Sequence, residues 1–263
     1  MDPAQALPPD TPLISAENVS RHFGGLRAVD GMSLRLPRGG MVGLIGPNGA
    51  GKTTLFNLLA GALKPSGGTI RIAGRDVSHE SPEMRIRRGV GRTFQIPRPF
   101  NEMTVLENVL VGAQNQSGER VWNNFIAPAR VWSEERAALN RARELIDFVS
   151  LSHLVDQPAR VLSGGQRKLL ELARVLMAEP DAILLDEPAA GVNPSLLELI
   201  IDRVQTLNKE GRTVLLIEHN MDMVSRLCSH VVVMASGRLL AEGSPQAVVR
   251  DPAVVSAYLG EAA

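Results

Sequence analysis

Only one cysteine, Cys228, occurs among 263 residues, so no internal disulfide can form and a reducing compartment is expected. Aromatic residues make up 3% of the chain, too few for a surface built to stack on nucleic-acid bases. Lys+Arg and Asp+Glu number 28 each, so the basic excess on which nucleic-acid binding ordinarily rests is lacking. No apolar run approaches the roughly 20 residues needed to span a bilayer. Met1-Asp2-Pro3 has neither the basic start nor the apolar stretch of a secretory signal, and none is expected. What the chain does have is a hydrophobic fraction of 44%, enough for a sizeable core, and a length suited to one or two domains.

Pro3, Pro8, Pro9 and Pro12 mark residues 1–12 as a mobile tail. Beyond it the pattern is strand-like over 13–19 and 28–36, with Gly24-Gly25 as a turn between them. The apolar run 41–45 leads into a glycine-rich loop, 46–51, then a helix-compatible stretch, 52–63, and an alternating strand, 69–72. From about 97 to 161 the periodicity is helical: Leu139, Ala142, Leu145, Ile146 and Val149 recur on one face. Ser133, followed by Glu134 and Glu135, reads as the start of that helix. Residues 114–132 hold both tryptophans and no period, and no structure is assigned to them. Strand and helix then alternate again. The near-continuous apolar runs 182–185 and 213–217 suit parallel strands covered on both faces, with a helix over 195–207 between them. Strands follow over 230–234 and 238–241, turning at Ser236-Gly237.

Gly46-Pro47-Asn48-Gly49-Ala50-Gly51-Lys52-Thr53 has the pattern G-x-x-x-x-G-K-[ST]. Its glycines let backbone N–H groups converge on an anion without a Cβ in the way, and the following helix points its partly positive end at the same place. Lys52 then reaches the β- and γ-phosphates of a nucleotide, and Thr53 ligates Mg2+. The run 182–185 ends in two carboxylates. Asp186 suits Mg2+ held through water, and Glu187 suits orienting and deprotonating the attacking water. If the three apolar runs are parallel, Gly46, Asp186 and His219 share the edge where the strands' carboxyl ends meet and ligands bind. His219 is then a γ-phosphate contact. Leu162-Ser163-Gly164-Gly165-Gln166 opens another helix with Ser163 as N-cap. It is a second anion site in a chain with one phosphate loop, which points to the ATP of another molecule.

In their order along the chain, Gly46 to Thr53, Gln95, Leu162 to Gln166, Asp186-Glu187 and His219 resemble the ATP-binding cassette of ABC ATPases. The likeness covers nearly everything beyond the tail. It implies an α/β fold of the P-loop NTPase class, with a mostly parallel core sheet, an antiparallel β subdomain and a helical subdomain inserted at about 97–178. Residues 13–263 then form one ATP-binding domain. It also implies ATP and Mg2+ as ligands, with Gly46, Pro47, Asn48, Gly49, Ala50, Gly51, Lys52, Thr53 and Thr54 around the phosphates. Asp186 ends the Walker B strand and Glu187 is the general base. Gln95 lies in the Q-loop, touching Mg2+ or water and reporting to a transmembrane partner. Ser163, Gly164, Gly165 and Gln166 form the signature that meets the γ-phosphate across a dimer interface. Phe23 stands where the family stacks an aromatic, commonly Tyr, on adenine, and Asn193 falls in the D-loop, where Asp is frequent.

Gly91-Arg92-Thr93-Phe94-Gln95, the long segment 114–132, Ile217-Glu218-His219 and the ending from Ala257 to Ala262 are similar to the ATP-binding subunits of branched-chain amino-acid importers. Asn220, where an acid is common, and the complete Ser163-Gly164-Gly165 signature depart from that subgroup. The resemblance implies a peripheral ATPase on the cytoplasmic face of the inner membrane. It would pair with a second ATPase subunit, identical or not, sit on permease subunits and depend indirectly on a periplasmic solute-binding protein. Related importers take up urea or short amides, which is the alternative for the solute. A soluble ABC ATPase acting on ribosomes or DNA usually carries two cassettes or a long coiled-coil insertion, and this chain has neither; no nucleic-acid partner is expected. A regulatory module that no longer hydrolyses is disfavoured by Glu187 and His219. Arg85, Arg87, Arg88, Arg92 and Arg98 form the main local charge excess, read either as a solvated face or as a basic rim at a membrane surface. Cys228, near Val224 and Leu227, reads as a packed core thiol.

Overall fold

The computed structural model describes residues 11–114, 116–119, 122 and 127–259. The tail over 1–10, part of the segment 114–132 and the ending beyond Leu259 lie outside the described residues. Two compact units emerge. One gathers the chain up to Arg92, residues 181–189 and everything from Val204 onward; the other gathers 93–180 and 190–203.

The first unit holds two sheets. Their strands are β1 (Ile14–Phe23), β2 (Leu26–Leu36), β3 (Met41–Ile45), β4 (Gly67–Ile72), β5 (Arg75–Asp76), β6 (Val90–Arg92), β7 (Ala182–Asp186), β8 (Thr213–Ile217), β9 (His230–Ala235) and β10 (Arg238–Gly243). The smaller sheet is antiparallel in the order β2-β1-β4-β5. The larger runs β10-β9-β3-β8-β7-β6, parallel throughout except for the β9–β10 hairpin. All residues of β3, β7 and β8 are buried, which is why these strands read as unbroken apolar runs instead of alternating. The helix Lys52–Leu59 is only eight residues long, too short to persist on its own propensity. It is held by Leu55, Phe56, Leu58 and Leu59, which share one core with Val19, Met32 and Ile70 of the small sheet and Leu44, Leu184, Leu215 and Ile217 of the large one. At about 1.5–3 kcal/mol for each such buried side chain, this packing dominates the helix's stability. It stops four residues short of the expected Leu63, because the chain turns at Ala60-Gly61 and the Leu63 N–H reaches back to the Asn57 carbonyl.

The arginine run corrects an expectation. Arg85 is fully buried and donates to the carbonyls of Leu59 and Val77, both at 2.6 Å; burial pushes its guanidinium down to about 10. Arg88 donates two hydrogen bonds to the Glu80 carboxylate, at 2.5 and 2.6 Å. Arg92 stacks on Phe56 and donates to Asn57 at 2.9 Å. Three of the five arginines are thus internal braces of the first unit, while Arg87 and Arg98 alone are exposed. Cys228 is buried as expected, and desolvation pushes its thiol up to about 12.

The second unit is helical, with helices Val105–Leu110, Pro128–Phe148 and Gly164–Leu176. It also takes residues 190–203, which include the first turns of the helix Pro194–Lys209 and lie outside the expected 97–178. The long helix starts at Pro128 instead of Ser133, so 128–132 are helical and not irregular. Proline suits a first helical position because its missing N–H would have no partner there anyway. Glu134, expected in a first turn, sits mid-helix. It accepts from the hydroxyl and N–H of Ser117 and pairs with Arg130, and these bonds hold its carboxyl at about 2. No described helix is long and apolar enough to cross a membrane.

Candidate functional site

The phosphate loop leaves the buried end of β3. At Gly46 φ is 150° and a Cβ would lie 2.1 Å from the Met234 carbonyl oxygen on β9. At Gly51 φ is 97° and a Cβ would lie 2.2 Å from the Ala28 carbonyl oxygen. Any side chain at either place would push backbone, so these two positions demand glycine. Lys52 opens the helix, is only 6% exposed, and folds its ammonium back to donate to the carbonyls of Gly46 (2.7 Å) and Pro47 (2.8 Å). The loop is also braced from the side: the Gly237 N–H donates to the Ala50 carbonyl, and the Asp30 N–H donates to the Gly237 carbonyl. Arg238 donates twice to the Asp30 carboxylate and, with Arg27 nearby, holds it below its usual range. Asn48, Gly49 and Thr53 are exposed, Thr54 partly so.

Strand register brings the remaining acids to the same edge. Leu44 on β3 and Asp186 on β7 both stand opposite Ile217 on β8, so Gly46, Asp186-Glu187 and His219 leave the sheet side by side. Asp186 is buried. Glu187 has φ 47°, a left-handed conformation that costs a non-glycine residue of order 1 kcal/mol, and its N–H is held by the Ile217 carbonyl at 2.9 Å. His219 Nε2 and the Glu187 carboxylate lie 3.1 Å apart, within hydrogen-bond distance. Glu218 is a residue that sequence reasoning passed over. Only 3% exposed, it accepts from the N–H groups of Ala189 (2.6 Å), His219 (3.0 Å) and Asn220 (3.1 Å). The available signal was a carboxylate at the end of an apolar strand, a group that must find donors once buried.

Among the described residues no group of three or more His, Cys, Asp or Glu side chains could cage a metal. One buried carboxylate, Asp186, and one exposed hydroxyl, Thr53, fit a hard divalent ion that keeps most of its shell as water and phosphate oxygen.

Phe23, at the end of β1, is 44% exposed, and the Arg21 guanidinium lies 4.7 Å from its ring centroid. In the second unit, Ser163 caps the helix Gly164–Leu176 through a reciprocal pair: its hydroxyl accepts from the Gln166 N–H and its N–H donates to the Gln166 side chain. A Cβ on Gly165 would meet Leu196, whereas the space beside Gly164 is open. Gln95 is exposed beyond β6, between exposed Phe94 and Ile96. Asn193 caps the helix Pro194–Lys209 by accepting from the Leu196 N–H, and Asn220 caps the helix Met221–Leu227. Gly46 to Thr54, Asp186, Glu187 and His219 are thus gathered in the first unit, and Gln95 and Ser163 to Gln166 belong to the second.

Residues 29–190 match the ABC transporter family model, and 238–263 match that of the branched-chain amino acid ATP-binding cassette transporter. Similar chains include the probable branched-chain amino acid transport ATP-binding proteins LivG of Methanocaldococcus jannaschii and Archaeoglobus fulgidus. The first is 40% identical, covering 95% of this chain and 98% of that protein; the second is 38% identical, covering 94% and 95%. A crystal structure of a nucleotide-free ATP-binding cassette from an ABC transporter superposes with a TM-score of 0.82 at 38% identity, over 93% of this chain and 98% of that one. The α/β fold expected from the sequence is therefore the one observed, and the chain belongs to the ABC transporter family, as one of its ATP-binding cassettes.

Proposed function

We propose that this chain hydrolyses ATP to drive the import of branched-chain or related amino acids through a membrane permease. The observation that carries the hydrolytic reading is the 3.1 Å bond between His219 and a Glu187 held in a left-handed conformation at the edge where the phosphate loop also ends. Lys52 exchanges its two loop carbonyls for β- and γ-phosphate oxygens. Its ammonium is already out of water, so the exchange costs little further desolvation. Glu187 accepts a proton from water as its oxygen bonds to the γ-phosphorus and the bond to the β-phosphate bridging oxygen breaks. His219 holds Glu187 in place and meets the departing γ-phosphate. Thr53 and, through water, Asp186 would hold a magnesium ion, which would supply charge neutralisation on the phosphates. Adenine stacks on the free face of Phe23, the other being covered by Arg21.

Ser163 to Gln166 of a second cassette, identical or not, closes the site from the other side. Open space beside the exposed Gly164 supports this: no described residue of the chain lies within 4 Å of a Cβ placed there, which leaves room for a ligand to approach the helix start. The exposed apolar residues Phe94, Ile96 and Phe100, close to Gln95 in the sequence, support a contact with a permease and so a place at the membrane. The amino-acid solute is supported by the names of the relatives and by the match over 238–263.

The test is co-purification with the permease, followed by ATPase assays with binding proteins loaded with leucine, valine or urea. Stimulation by leucine or valine is expected. Stimulation by urea alone overturns the amino-acid reading and leaves the ATPase reading standing.

A further inference from the structure

Resting on Glu187 as the base, we infer that Glu218 is a positioning residue for hydrolysis: its carboxylate ties the loop carrying Glu187 to the loop carrying His219 and so sets the bond between them. One oxygen of Glu218 accepts from the Ala189 N–H, two residues beyond Glu187; the other accepts from the N–H groups of His219 and Asn220. Each loop follows a parallel strand, and β7 and β8 are neighbours, so a single side chain spans the gap at the sheet edge. The carboxylate is buried, so water does not compete for its lone pairs. Both oxygens face donors, and this makes the chemistry specific. An amide of the same shape has one acceptor oxygen, and its NH2 would be forced against a backbone N–H. A shorter carboxylate keeps two acceptors but loses reach.

The inference is tested by steady-state ATPase kinetics on the full chain, with binding of a fluorescent ADP analogue measured in parallel. Glu218→Gln is expected to lower kcat roughly tenfold while nucleotide affinity and KM stay within about twofold. His219→Ala is also expected to lower kcat. If Glu218 acts through the Glu187–His219 pair, the double variant should be no slower than His219→Ala alone by more than about twofold. Glu218→Asp, the second variant, should fall between wild type and Glu218→Gln. Three results would overturn the inference: a Glu218→Gln kcat within about twofold of wild type, penalties that multiply in the double variant, or nucleotide binding lost in step with kcat. Glu187→Gln is the control. If it turns over at the wild-type rate, the assignment of the base has failed; if it is inactive while Glu218→Gln stays within about twofold of wild type, only the role of Glu218 has failed.

Discussion

The phosphate loop and the Ser163 turn are both glycine-containing helix starts, yet they are built to opposite specifications. In the loop, Gly46 and Gly51 press against neighbouring carbonyls, Lys52 is buried, and Ala50 is tied to the β9–β10 turn. The turn at Ser163 has its own capping box, an exposed Gly164 and open space in front of it. The loop needs Gly46 and Gly51 for its own packing, whereas Gly164 has no such need. On the proposed reading, one is a half of a site and the other is a face offered to a second cassette. Two glycine-containing helix starts thus differ in whether neighbouring backbone leaves room for a side chain.

That contrast can be broken. Ser163→Arg should abolish ATP hydrolysis while leaving nucleotide binding by the lone chain unchanged. Titrating it into wild type should depress the rate per wild-type chain, and an unaffected rate would mean the turn serves no second molecule. Glu187→Gln should retain ATP binding and lose turnover by about a hundredfold or more, the usual scale for a lost catalytic base. Single-turnover assays with purified variant would check this. Lys52→Ala should weaken ATP binding roughly 10- to 100-fold, corresponding to the loss of charge-assisted bonds to phosphate; titration calorimetry reads it directly. Near-normal affinity would mean that Lys52 only staples its own loop through Gly46 and Pro47.

The sequence shows most plainly whatever is buried on both sides. β3, β7 and β8 declare themselves as apolar runs, and their parallel order follows from the helices between them. Short or mixed elements stay hidden. β6 is Val-Gly-Arg, three residues with no run to detect, and its place beside β7 is set by tertiary pairing alone. Arg85 looks like surface because arginine usually is, and its inward turn, where it donates to the carbonyls of Leu59 and Val77, leaves no mark in the local pattern. The start of the long helix was misplaced because Ser133-Glu134-Glu135 mimics a cap, and the partner that uses Glu134, Ser117, is distant in sequence. Within the site, motif spacing locates Gly46 to Thr53, Asp186, Glu187 and His219. Glu218 escapes it because its role depends on backbone donors from a loop 29 residues away.

The hairpin at Gly237-Arg238 carries a practical lesson for anyone building chimeras of this cassette. The stretch matching the branched-chain model begins at Arg238, whose guanidinium grips Asp30, next to the glycine whose N–H grips Ala50. Grafting a foreign C-terminal tail upstream of that hairpin would therefore loosen the nucleotide grip from behind. A swap made downstream, past Gly243, would leave it intact.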